Sequence, residues 1–201
     1  MRLLTAFIVA SAFLCFCLPS SAKGQISPLT IQKIKQRGVL RVAVSSADNA
    51  PFIMHNKQKQ LFGLDIAMIT GIANKIGVRV EYIEKPNFNR IIDSVESRQA
   101  DIGLSDLSIT LDRVQRVDFT HSYLSENMIL LTNRMQKELD NQPTTYFNQS
   151  KIVIGTIKNT AYHYYRHIIF PQAQEQSFNG LDNMMRALRH NDIQAILINQ
   201  T

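Results

Sequence analysis

The stretch Asp101-Ile-Gly-Leu-Ser-Asp-Leu-Ser-Ile-Thr-Leu-Asp-Arg113 decides how this chain is read. Its first four residues have the short apolar pattern of a buried strand. Ser105, Asp106 and Ser108 then form a polar loop. Thr110 is a good N-cap residue, and Asp112 falls in the first turn after it, where negative charge suits the helix dipole. Arg113 lies in the same turn. Free backbone N–H groups at a helix start and a planar guanidinium fork both suit a carboxylate. Spacing alone leaves a second reading open, with Arg113 a solvated helix residue paired to Asp112 or Asp118.

Upstream, residues 39–44 (Val-Leu-Arg-Val-Ala-Val) predict a strand broken by Ala50-Pro51. Residues 52–54 and 60–62 flank a polar tip and predict a hairpin-like excursion. Asp65 is placed as an N-cap for a helix carrying Ile66, Ile69, Ala73 and Ile76, with Gly77 as its C-cap. A strand over 78–83, a helix over 88–98 and the strand at 101–104 follow. Strand and helix alternate, which implies a parallel sheet with helices on its faces.

Downstream, residues 127–131 are an apolar strand, and 134–145 are polar with Pro143, the pattern of a linker. The rhythm then resumes. A strand lies at 151–155 and a helix after Thr160, stopped by Phe170-Pro171. A weak strand at 174–178, a helix at 181–190 and an apolar strand at 194–198 complete it. Two α/β units joined by a crossing leave a cleft between them, a common place for a small ligand.

The 201 residues carry a net charge of +6, with 19% charged and 45% hydrophobic residues, which excludes a disordered tail. The 8 glycines exclude a collagen-like chain. The only long apolar run is at residues 3–18, so a polytopic membrane protein is excluded as well. With Arg2 before that run and Ser20 and Ala22 after it, residues 1–22 have the pattern of a cleaved signal peptide, an uncleaved membrane anchor being the alternative reading. Cleavage before Lys23 removes both cysteines, so residues 23–201 have neither disulfide nor thiolate chemistry. The basic residues cluster densely only at Lys33-Lys35-Arg37 and Lys57-Lys59. No aromatic-basic interleaving accompanies them, and nucleic acid is not expected as a partner.

Taken in order, these motifs resemble type II periplasmic solute-binding proteins, in particular the family 3 amino-acid-binding branch. Residues 38–44 resemble the family's first strand and Pro51-Phe52 the aromatic after it. Gly63-Leu-Asp65-Ile resembles the following helix start, though Ala67 stands where a second Asp is usual. Residues 101–113 match the ligand loop, with Ser108, Thr110 and Arg113 in register. Val117-Asp-Phe-Thr120 and Tyr123 match the next signature. In the second half the match is looser. Residues 154–160 resemble a segment in which Gly usually stands at Asn159, and residues 192–199 a segment that usually ends in an ammonium-binding Asp, here Asn199.

The resemblance implies an α/β fold of two lobes, each a mostly parallel sheet flanked by helices, with the C-terminal part missing. Lobe 1 would span 23–132, a crossing segment 133–150 and an incomplete lobe 2 151–201. It implies a monomeric periplasmic receptor that binds an amino acid or related small carboxylate and hands it to the membrane permease of an ABC transporter, with no cofactor. Arg113 would clamp the carboxylate, helped by the Thr110 backbone and Thr160. Ser108 would face the ammonium, and Phe52 and Phe88 would wall the side chain; both rings could equally be core. Asn199 keeps the shape of the usual Asp but not its charge. Asp106, where Gly is usual, could replace that charge or merely cap the loop. A ligand without an amine is the competing expectation. The early stop implies poor stability and poor closure, or a truncated fragment.

The same scaffold serves a cyclohexadienyl-dehydratase-like enzyme and extracellular sensor domains. A dehydratase needs a positioned acid, for which Glu84 and Glu126 qualify by chemistry, although surface or hinge roles suit them better. No catalytic residue is therefore assigned. His163 and His167 stand at i and i+4, but no third ligand is evident and no metal is expected. The cluster of Tyr162, Tyr164 and Tyr165 lines the cleft or packs its helix.

Overall fold

A computed structural model describes residues 28–139 and 141–199. The expected signal peptide and both cysteines lie outside the described residues. Among those described, no helix is long and apolar enough to cross a membrane.

The first sheet has three parallel strands, with β1 (Val39–Ser45) between β4 (Arg79–Lys85) and β5 (Ile102–Gly103). A small antiparallel pair, β2 (Met54–His55) and β3 (Leu61–Phe62), forms the expected excursion. Helices α1 (Pro28–Arg37), α2 (Leu64–Ile76) and α3 (Phe88–Glu96) flank the sheet. Leu40, Val42, Val44, Phe52, Ile53, Ile66, Ile69 and Ala73 form one core. Ala43, Ile91 and Ala100 form a second, smaller cluster. β1 is buried along nearly its whole length, as a central parallel strand must be. Its Arg41 backbone N–H donates to Asp101 at 2.9 Å, and Arg41 and Arg37 both pair with that carboxylate.

The second sheet has the order β6 (Met128–Thr132), β9 (Ala195–Asn199), β7 (Val153–Ile157), β8 (Gln174–Phe178). β7 is parallel to both its neighbours, and β6 runs antiparallel to β9. Helices α5 (Ala161–Ile169) and α6 (Leu181–Arg189) cover it. Between the sheets lies the one-turn helix α4 (Leu111–Val114).

The expected boundary at residue 132 is corrected by this pairing. β6 belongs to the second sheet, so the chain has crossed before Met128. An apolar strand pattern says that a strand is buried but not which sheet buries it. The expected linker also changes character. It carries 3-10 turns at 137–139 and 144–147, and Leu139 and Phe147 are buried against Ile152, Ile154 and Phe170.

The start of α2 differs as well. Its first N–H groups are held by backbone carbonyls, Leu64 donating to Pro51 at 3.0 Å and Asp65 to Phe52 at 3.1 Å. Gly63 is the N-cap, at φ +130°, and a Cβ there would lie 2.2 Å from the Phe52 carbonyl oxygen. Asp65 is thus not the cap, and its carboxylate is free for other partners. Gly77 closes the helix in the left-handed conformation, as expected.

Candidate ligand cleft

The loop after β5 is fixed by its backbone. Leu104 N–H donates to Ala43, and Ser45 N–H donates to the buried Ser105 hydroxyl at 2.7 Å. Asp106 sits at φ +50° and donates its N–H to Asp65 Oδ2 at 3.0 Å. Asp65 is fully buried, and its other oxygen accepts from the Tyr123 hydroxyl at 2.9 Å. Burial raises the Asp65 carboxyl above its ordinary value against these two hydrogen bonds. The side chain expected to start α2 therefore props the ligand loop.

Thr110 caps α4, its hydroxyl accepting from Arg113 N–H at 3.4 Å. At one turn, α4 has little macrodipole to offer a ligand. Arg113 itself is decisive. It is only 6% exposed, and its Nη1 donates to the Ser108 carbonyl at 2.9 Å. Its Nη2 reaches across to the Asn159 carbonyl at 3.3 Å. Its guanidinium lies 5.6 Å over the Phe88 ring. Among the described residues no carboxylate forms an ion pair with it. Burial lowers its affinity for the proton, yet a guanidinium stays charged. A solvated helix arginine is thereby excluded.

Across from the loop stand groups of the second lobe. Asn159 adopts φ +62°, which Asn accepts where a glycine would otherwise be needed. Its side chain also accepts from Asn89 Nδ2 at 3.2 Å. Thr160 occupies the N-cap position of α5 but makes no capping bond. Its hydroxyl donates back to Ile157 at 2.6 Å. Tyr165 donates to the Ile109 carbonyl at 3.5 Å.

The remaining expectations divide. Phe88 meets Arg113 and packs, partly buried, against the cluster of Ala43, Ile91 and Ala100. Phe52 is 2% exposed and lies in the core of the first lobe, which corrects its expected place in the cleft wall. The Pro51–Phe52 carbonyls must receive the start of α2, and that turns the ring inward. Asn199 donates to the Glu126 carboxylate. Glu126 raises the Asp106 carboxyl, which is pushed up to about 6 by burial first, then by Glu126 and Asp65, against a hydrogen bond from Asn49. Tyr162 is pushed up to about 12 by burial and then, against the Asn199 N–H, by Asp106 and Glu126. Asp106, Glu126, Asn199 and Tyr162 therefore form one acidic neighbourhood that spans both lobes. Sequence reasoning had set Glu126 aside as surface or hinge. The Met128–Asn199 register brings residue 126 to this end of β9, and an antiparallel pairing is invisible in a lone strand pattern. Glu84 instead faces His55 at 3.3 Å, on an exposed edge.

The family described as bacterial extracellular solute-binding proteins, family 3, matches residues 40–199. The chain belongs to this family. A probable histidine-binding protein of Campylobacter jejuni is 28% identical over 202 residues, covering 99% of this chain and 74% of the relative. The histidine-binding periplasmic protein of Escherichia coli K12 is 28% identical over 149 residues, covering 73% of this chain and 55% of that protein. A cyclohexadienyl dehydratase of Pseudomonas aeruginosa is 28% identical over 124 residues, 62% of this chain and 46% of the enzyme. Among solved structures, an arginine-bound amino acid ABC transporter substrate-binding protein from Streptococcus pneumoniae is 26% identical at a TM-score of 0.70, covering 85% of this chain and 70% of that one. An ancestral amino acid-binding protein, described as a precursor of cyclohexadienyl dehydratase, shares the fold at a TM-score of 0.75 and 24% identity, covering 85% and 75%. The α/β fold expected from the sequence is that of this family.

Proposed function

We propose that the chain binds an amino acid between its lobes and delivers it, as an extracytoplasmic monomer exported by the signal at residues 1–22, to an ABC-transporter permease. One observation carries the reading: Arg113 is a buried cation with no ion-pair partner among the described residues. A desolvated cation without a counter-ion is costly, and a ligand carboxylate removes that cost through a two-point hydrogen bond. Thr110 and Thr160 flank the carboxylate position, Ser108 offers an oxygen to the ammonium, and Phe88 lies against the guanidinium. The opposite pole is acidic. Asp106 and Glu126 supply the negative charge that Asn199 lacks, while Asn199 orients Glu126. An amino acid carries both complementary charges, whereas a plain carboxylate leaves the acidic pole unpaired. Ligand contacts to both lobes favour the closed arrangement.

A calorimetric screen of the proteinogenic amino acids tests this, with saturable binding expected for at least one and its loss in Arg113→Ala. Binding of simple carboxylates alone would exclude the amino-acid reading. The second reading is dehydration of a cyclohexadienyl substrate, favoured by the Asp106 carboxyl, which burial and then Glu126 push up to about 6. Turnover of prephenate lost in Asp106→Asn would establish it in place of a receptor.

A further inference from the structure

At the β8 edge of the second sheet, α5 and β8 bring together His163, His167 and Glu175, their ligand atoms all within 4.8 Å of one another. We propose that these three side chains bind a divalent late first-row transition metal, with Zn2+ the natural candidate. The two histidines lie one turn apart on α5, with ring centroids 4.8 Å apart, and both are about half exposed. The third ligand, which sequence spacing did not reveal, comes from the neighbouring strand. Two imidazoles and a carboxylate form a nitrogen–oxygen set suited to Zn2+, Cu2+ or Ni2+, with a solvent position left for water.

The distances suit this use. A tetrahedral ion with bonds of about 2.1 Å needs donors about 3.4 Å apart. His167 Nε2 stands 3.4 Å from Glu175 Oε2, and His163 Nδ1 stands 2.7 Å from Oε1. Small rotations of two exposed rings open the second distance. The carboxylate is held from behind, as a metal ligand should be. Thr156 donates to Oε1, Ser177 Oγ lies 3.3 Å from it, and Arg166 Nη2 donates to Oε2 at 3.2 Å. Arg166 is itself anchored, donating to the Ala173 carbonyl at 2.9 Å, and is 4% exposed. Its Nη2 lies 2.6 and 3.0 Å from the two ring nitrogens of His167. The guanidinium is thus within hydrogen-bond distance of both ring nitrogens, and the half-exposed His167 ring must turn away from it to offer a nitrogen to the ion. The positive charge of Arg166 weakens the site without occupying it. The ion would pin α5, whose first residues face the cleft, to β8.

The experiment is a ZnCl2 titration by calorimetry on the full chain carrying C15S and C17S, which removes thiol ligands. One equivalent is expected, with affinity reduced about tenfold or more in His163→Ala and in His167→Ala. Cu2+ electron paramagnetic resonance supplies a readout independent of stability, with coupling to two nitrogens in the parent and to one in each variant. Arg113→Ala should leave metal binding intact, which separates this site from the amino-acid reading. Unchanged affinity in the double histidine variant, absence of saturable Zn2+ binding, or a copper spectrum without nitrogen coupling would overturn the proposal.

Discussion

The Arg113 guanidinium of the first lobe donates to the Asn159 carbonyl of the second at 3.3 Å. One buried cation therefore links the two lobes, and in the proposed function the same group clamps the ligand carboxylate. Arg113→Lys keeps the charge but loses the fork and the contact with Phe88. Amino-acid affinity should fall about 100-fold, roughly 2.7 kcal/mol, measured by calorimetry, with Arg113→Ala at least as severe. Affinity within a factor of two of the parent would remove Arg113 from the site.

Asp106 predicts two pH effects of opposite sign. Its carboxyl is raised to about 6, chiefly by burial and then by Glu126 and Asp65. A raised carboxyl stabilises the fold fully only below its unfolded value of about 4, and that contribution is lost as pH rises through about 6. Asp106→Asn should flatten this part of the melting-temperature profile. Ligand affinity should move the other way. An ammonium pairs with the ionised form, so binding should strengthen between about pH 5 and pH 7 and lose that dependence in the variant. Glu126, Asp65, Tyr123 and Tyr162 face the same pole, and Glu126→Gln should shift the midpoint downward.

Tyr123→Phe removes the hydroxyl that donates to buried Asp65. An unsatisfied buried carboxylate oxygen costs about 1–3 kcal/mol, read as a lower urea midpoint with an unchanged slope. A change under about 0.3 kcal/mol would mean that Asp65 is not a strut of the loop.

Gly63→Ala should be among the most damaging single-methyl changes. The added Cβ would meet the Phe52 carbonyl oxygen at 2.2 Å in a backbone conformation that L residues rarely adopt. A loss of about 2–3 kcal/mol is expected in a denaturant melt. Gly38→Ala is the control, because a Cβ there meets no atom within 4 Å although its φ is also positive.

The order of strands and helices was legible because most strands are short, apolar or alternating, and bounded by Gly, Pro or polar residues, β8 (Gln-Glu-Gln-Ser-Phe) being the weak case. The loop from Asp101 to Arg113 was legible for a similar reason, since its cap and its arginine are local in sequence. Long-range relationships were not. β6 has the composition of any buried strand, and only its pairing with β9 assigns it to the second sheet. That same pairing delivers Glu126 to Asn199, so one unseen contact hid both the lobe boundary and half of the acidic pole. Phe52 misled because an aromatic after a strand looks alike whether it faces a cleft or a core. Asp65 misled because its N-cap role was already filled by backbone carbonyls. Glu175 completes the histidine pair only through the parallel register of β7 and β8.

The central claim is that the cleft reads both ends of an amino acid, the carboxylate at Arg113 and the ammonium at Asp106 and Glu126. The most direct test takes the tightest-binding amino acid and compares it, by calorimetry at pH 7.5, with its decarboxylated and its deaminated analogue. Both analogues should bind about 100-fold more weakly or worse. A deaminated analogue that binds as tightly as the amino acid would contradict the account, because the acidic pole would then have no part in recognition.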